Sequence, residues 1–103
     1  MGDRFLFTRK YTLRNSIVNG GKMETRIALI GIIVEDTNAV ENVNEIIHNY
    51  GSYIIGRMGI PYREKQVNII SIVIDAPNDV ISSLSGKLGM IKGISVNTVY
   101  SKK

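Results

Sequence analysis

Few side chains in this 103-residue sequence have types and spacing that could do chemistry. His48 is the only histidine, and there is no cysteine. A zinc or nickel site within one chain needs several such ligands, and thiolate, disulfide and iron–sulfur chemistry are excluded outright. Asp36, Asp75 and Asp79 share one histidine, and nothing in their spacing brings a nucleophile, a base and an orienting acid together. Hydrolysis of an acyl phosphate would need an arginine in a loop that cradles the phosphate; Gly31-Ile32-Ile33 is apolar and begins no such loop. No catalytic residue, no cofactor and no metal ligand is therefore assigned, and the protein is read as a non-enzyme.

Two short segments remain that could hold a ligand. One is Val34-Glu35-Asp36-Thr37-Asn38, polar residues directly after an apolar run. Free N–H groups at the start of a helix attract anions and polar ligand ends. Here the two carboxylates would suit an amine or a hard cation instead, with Asp36 and Asn38 as the binding residues. The other is Gly56-Arg57-Met58-Gly59, where Arg57 and Met58 sit between two glycines. Isolated glycines inside a strand mark bulges or close approach by a ligand or another backbone. Arg57 there is either an edge-facing solubility residue or a contact to an anion at a subunit interface. His48 is expected on a helix surface, where only a symmetric oligomer could gather several copies around a metal.

The elements that would carry these residues follow from the hydrophobic pattern. Ile27–Val34 (IALIGIIV) is a β-branched apolar run, read as a buried strand. From Ala39 to Tyr50, the residues Val40, Val43, Ile47 and Tyr50 form one helical stripe, and Gly51 stops it. Ser52–Tyr62 reads as a strand interrupted by glycines and closed by Pro61. Arg63-Glu64-Lys65 makes a hairpin turn into a second buried strand, Gln66–Asp75 (QVNIISIVID). Pro77-Asn78-Asp79 opens a helix with Val80, Ile81, Leu84 and Leu88 on one side. Ile94–Ser101 alternates and reads as the last strand.

The order β-α-β-β-α-β is the ferredoxin-like arrangement. Shifting the chain by 40 positions lays one half on the other: Ile27 meets Val67, Gly31 meets Ser71, Glu35 meets Asp75, and Asn38 meets Asn78. The right-handed crossover rule then predicts an α+β sandwich. Its antiparallel sheet has four strands in the order 4-1-3-2, with two helices on one face. An RNA platform on this fold needs aromatic residues on the central strands. QVNIISIVID has none, so nucleic acid is not expected on the sheet.

The formal net charge of +4 belongs to one segment. Residues 1–22 carry five basic residues and one acidic, and the remainder is balanced at eight of each. Residues 1–22 are therefore read as a flexible basic extension and 23–103 as the folded domain. Gly20-Gly21-Lys22-Met23 back-translates to a bacterial ribosome-binding sequence ahead of a start codon, so the natural product is expected to begin at Met23. No run approaches the ~18 apolar residues of a membrane span, and a reducing cytoplasm is the expected compartment.

The central strands carry a further message. Ile27, Leu29 and Ile33 alternate with Ala28, Ile30, Ile32 and Val34, so the first strand is apolar on both faces. Two helices cover only one. The sheet should therefore be completed by a second copy, as a homodimer or tetramer, face to face or edge to edge.

Three pieces, RIALIGIIVED, IIHNYGSYIIGRMGIPYRE and LGMIKGISVNTVYS, resemble the small regulators of the iron-only hydrogenase system. That family is similar to the ACT-like regulatory domain, including the ligand-binding half of the nickel-responsive regulator. The resemblance covers Met23 to the C-terminus. It implies a stand-alone sensor that oligomerises and binds a small ligand at interfaces, usually where the first strand enters its helix. The histidine and cysteine ligands of the nickel regulator have no counterparts here. The alternatives are an adaptor that binds a protein partner through the open sheet face and a weak nucleic-acid binder using the basic arm.

Overall fold

The computed structural model describes the backbone of Arg4–Phe7 and residues 24–102. Five strands form one antiparallel sheet: β1 (Arg4–Phe7), β2 (Arg26–Val34), β3 (Ile54–Tyr62), β4 (Val67–Ala76) and β5 (Ile94–Tyr100), in the order β1-β3-β4-β2-β5. Two helices complete it, α1 (Val40–Asn49) and α2 (Asn78–Gly89). From β2 onward this is the expected β-α-β-β-α-β chain with its 4-1-3-2 strand order. The addition is β1, which lies inside the segment read as a flexible extension. It pairs antiparallel with the outer edge of β3, Arg4 opposite Gly59 and Phe7 opposite Gly56. The rest of that extension lies outside the described residues.

Alternation decides the layers. Along β2 every second residue is buried: Ala28, Ile30, Ile32 and Val34. In register beside them β4 buries Ile70, Ile72, Ile74 and Ala76. Against this face pack Val43, Ile47 and Tyr50 of the first helical segment and Ile81, Leu84 and Leu88 of α2, all in one cluster. These are the stripes that the 3.6-residue period picked out. The two helices are joined by a 2.8 Å hydrogen bond between the Tyr50 and Ser83 hydroxyls, and Lys87 lies 5.3 Å from the Tyr50 ring centroid.

The turns follow local chemistry. The Asp36 carboxylate accepts the Asn38 N–H at 3.0 Å and so caps a single 3₁₀ turn, Thr37–Ala39, that leads into α1. The β3–β4 hairpin turns at Arg63–Gln66, closed by Gln66 N–H donating to the Arg63 carbonyl at 3.1 Å. Opposite β4, the β3 register slips between Ile54 and Gly56, a bulge one residue before Arg57.

Candidate functional site: the open face of the sheet

The four residues singled out from the sequence do not form one site. Asp36 and Asn38 stand at the C-terminal end of β2. There the Glu35 and Asp36 N–H groups donate to the Gly93 carbonyl at 2.7 and 3.1 Å, and Ser95 Oγ donates to Glu35 Oε2 at 3.2 Å. The Asp36 carboxylate is occupied as a cap, and its Cβ lies 2.5 Å from where a side chain on Gly93 would begin. Gly93 has φ +86°, the left-handed region that favours glycine. This junction is therefore a latch between the exit of β2 and the start of β5.

Arg57 and Met58 lie mid-strand, level with Ile72 and Ser71 of β4. Being neighbours on a strand, they point to opposite faces. Arg57 turns toward the helices and donates from Nη2 to Asn44 Oδ1 of α1 at 3.1 Å. Met58 stands on the other face, exposed. His48 is exposed on α1. Among the described residues, no group of three or more His, Asp or Glu is placed to hold a metal ion.

What does gather is the face that the helices leave bare. Ile27, Leu29 and Ile33 of β2, Ile69 of β4, Met58 and Ile60 of β3 and Val99 of β5 are all exposed there. Leu29 is 44% exposed while its neighbour Ile30 is 0% exposed, the contrast along one strand that divides the two faces. Three rows cross the sheet in register. Val99, Leu29 and Val73 make one apolar ridge; Ser95, Ile33, Ile69 and Ile60 make another. Between them runs a lower row, Asn97, Gly31, Ser71 and Met58. A shallow depression of about 550 Å³ lies over the lower row and the Ile33–Ile69 ridge, lined by Gly31, Ile33, Ile69, Ser71, Ser95 and Asn97 among others. That volume falls in the range of small-molecule sites. A side chain added at Gly31 would meet nothing nearer than the Asn97 carbonyl at 4.0 Å, so packing within the chain does not demand the glycine.

A second hollow, about 470 Å³, lies at the end of the sheet and is lined by Thr37, Pro61, Arg63, Gln66 and Asn68 among others. It borders the predicted junction without including Asp36 or Asn38.

The depression offers an amide, hydroxyls and aliphatic walls, and at its Ser95 end the Glu35 carboxylate accepts from Ser95 Oγ at 3.2 Å. Sequence reading located this face through the double-sided apolar strands but missed the row at its centre. The signal was present: Gly31 and Ser71 are equivalent under the 40-residue shift, the one place where both central strands turn small.

A ferredoxin-like sandwich with one sheet face covered by helices and the other bare and apolar defines a small α+β domain. Residues 26–98 match the TM1266-like family, described as "Iron-only hydrogenase system regulator, putative". The chain belongs to that family. It is similar in structure to the uncharacterized protein TM1266 from Thermotoga maritima, with 42% identity and a TM-score of 0.73 over 77% of this chain and 100% of the other. No curated protein matches it. No helix among the described residues is long and apolar enough to cross a membrane.

Proposed function

We propose that this chain is a non-enzymatic regulatory module of the iron-only hydrogenase system, with residues 23–103 as the regulatory domain. It works in the cytoplasm as a homodimer or tetramer and answers to a small ligand held where copies meet. The observation that carries this reading is the bare sheet face, where seven large apolar residues remain exposed. Fully burying one such side chain is worth ~1.5–3 kcal/mol. Covering this half-buried set therefore favours association by several kcal/mol before its entropic cost. An isologous contact, the same patch on both copies, is the simplest way to cover it.

The family description supports the regulatory half of the reading, and the depression at Gly31 supports the ligand half. The Glu35 carboxylate at its Ser95 end would repel an anion, so the ligand class is small and not anionic. The Asp36–Asn38 junction and Arg57 are retained as contacts only where a second copy brings groups to them.

The test is sedimentation of Leu29→Glu and Ile69→Glu against the unchanged protein. Folded, soluble and smaller species are expected. Variants that keep the parent mass would overturn the assembly, and with it the placement of the ligand. A thermal-shift panel of neutral metabolites then reads ligand binding by mass action. An oligomer that ignores every metabolite but is stabilised by a protein partner would favour the adaptor reading.

A further inference from the structure

The outer edge of β3 already accepts an extended strand. β1 pairs with Gly56–Gly59. Two features of β3 flank this stretch. Below Gly56 lies the bulge that shifts the register between Ile54 and Gly56. Beyond Ile60 lies Pro61, which has no N–H to give. Bulges and prolines are devices that blunt sheet edges, and charged side chains are another. Between them the window Gly56–Ile60 is left unguarded. Its one charge, Arg57, is drawn off the edge to Asn44 on α1. An edge strand in this condition binds extended backbone with little regard for sequence.

The apolar open face also reaches this edge, since Met58 and Ile60 are both 39% exposed. A second copy could add its own β3 to the window, antiparallel about a two-fold axis. Gly56–Gly59 of one chain would then lie against Gly56–Gly59 of the other, an isologous contact. The same four residues face β1 within one chain. The two pairings are mutually exclusive.

We infer that β1 is a cis-acting cap that competes with strand addition by a second copy at the β3 edge. Residues 8–25, 18 in all, join Phe7 to Arg26. Three strand spacings separate β1 from β2, roughly 14 Å. Eighteen residues reach up to roughly 60 Å when extended, so the connection is long enough to permit the pairing. Tethering of this kind supplies an effective concentration in the mM range. At a protein concentration of ~10 μM the tethered strand therefore outcompetes a second copy by about 100-fold, for pairings of equal intrinsic strength. The family match begins at residue 26, and the Thermotoga protein is covered in full by 77% of this chain. β1 thus lies outside the residues that match the family model. The inference rests on the self-association proposed above and concerns the chain that carries residues 1–22; a product that begins at Met23 has no cap.

The experiment uses the full chain carrying Phe5→Pro and Leu6→Pro together. Adjacent residues of an antiparallel strand aim their N–H groups to opposite sides, so the pair removes a bond to β3 whichever residue donates it. Mass is followed by sedimentation over a concentration series, and amide exchange is followed at Gly56–Ile60, counting only the amides that face away from β4. The expected result is assembly at about 100-fold lower concentration than the unchanged chain, with the 56–60 amides protected in a concentration-dependent way. Unchanged assembly with 56–60 amides that exchange freely at every concentration overturns the inference: the edge is released and no copy takes it. Unchanged assembly with those amides still protected overturns it as well, because β1 is then not what covers them. In either case, if both proteins are oligomers of one size, the open-face reading stands; if both are monomers, it falls too.

Discussion

The two faces of this sheet are built from the same residues and have opposite fates. On β2, Ile30 and Ile32 are sealed under the helices while Leu29 and Ile33, one step away, are 44% and 42% exposed. β-branched and aliphatic side chains appear on both sides with little to tell them apart in type. What differs is whether this chain owns the element that covers them. The helix face is closed by α1 and α2 and is complete within one molecule. The open face is equally apolar and is left for something else. Hydrophobicity alone thus does not report burial within one chain; topology shows how much of it one chain supplies.

The largest effects should come from placing a charge on the sealed face. Ile72→Glu puts an unpaired carboxylate where exposure is 0%, a cost of several kcal/mol that approaches the whole stability of a small domain. Circular dichroism should show an unfolded or aggregated chain. Ile69→Glu, three residues earlier and on the other face, should keep a native spectrum. If both unfold, the two faces are not different in kind.

Truncations give a graded version of the same contrast. Ile30→Ala should lower stability by ~2–5 kcal/mol, the usual range for a large-to-small change in a core. Leu29→Ala should cost under ~1.5 kcal/mol in dilute solution, where no second copy covers it, and more as concentration rises. Denaturant midpoints at two protein concentrations check both. A concentration-independent Leu29→Ala would remove the link between that face and assembly.

The glycines sharpen it further. Gly93→Ala meets Asp36 at 2.5 Å and a φ of +86°, and should cost ~1–3 kcal/mol by thermal melting. Gly31→Ala meets open space, and by restoring an ordinary strand residue should stabilise the lone chain by ~0.5–1 kcal/mol. The same substitution should weaken assembly or ligand binding if the depression is occupied in use.

The smallest effect concerns the helix side. The Ser83 hydrogen bond, opposed by burial and aided by Lys87, holds the Tyr50 phenol below its ordinary range. Between that lowered value and the ordinary one near 10, the unfolded chain binds more protons than the folded one, so this group adds stability as pH rises through the window. Tyr50→Phe should abolish the increment and the earliest step of tyrosine ionisation seen by ultraviolet absorbance. Tyr62, whose bond to Glu64 raises it, titrates later and does not mask the change.

Much of the fold was legible because periodicity and sidedness are written residue by residue. The stripe Val43, Ile47, Tyr50 and the alternation of Ala28 to Val34 needed no tertiary information. The strand β1 was not legible. RFLF has no alternation to mark it, and an edge strand is held by backbone bonds that almost any residue can make. The site was harder. Arg57 and Met58 were read as a pair by proximity in sequence, although alternation alone sends them to opposite faces. Asp36 was read as a binding carboxylate, and the structure shows the same carboxylate accepting the Asn38 N–H at 3.0 Å.

The junctions at the two ends of β5 have a consequence for how the chain assembles in time. β5 is fastened to β2 at one end by the Gly93 carbonyl, which takes the Glu35 and Asp36 N–H groups. At the other end Ser101 N–H donates to the Ile27 carbonyl at 2.8 Å, and Arg26 Nη2 donates to the Ser101 carbonyl at 2.9 Å. These contacts join residues more than 50 positions apart, so they form only after a long loop has closed, which slows folding. During synthesis β2 emerges well before its outer neighbour β5, and a growing chain that has not yet reached Ile94 holds a half-paired central strand, the kind of exposed edge on which chaperones act.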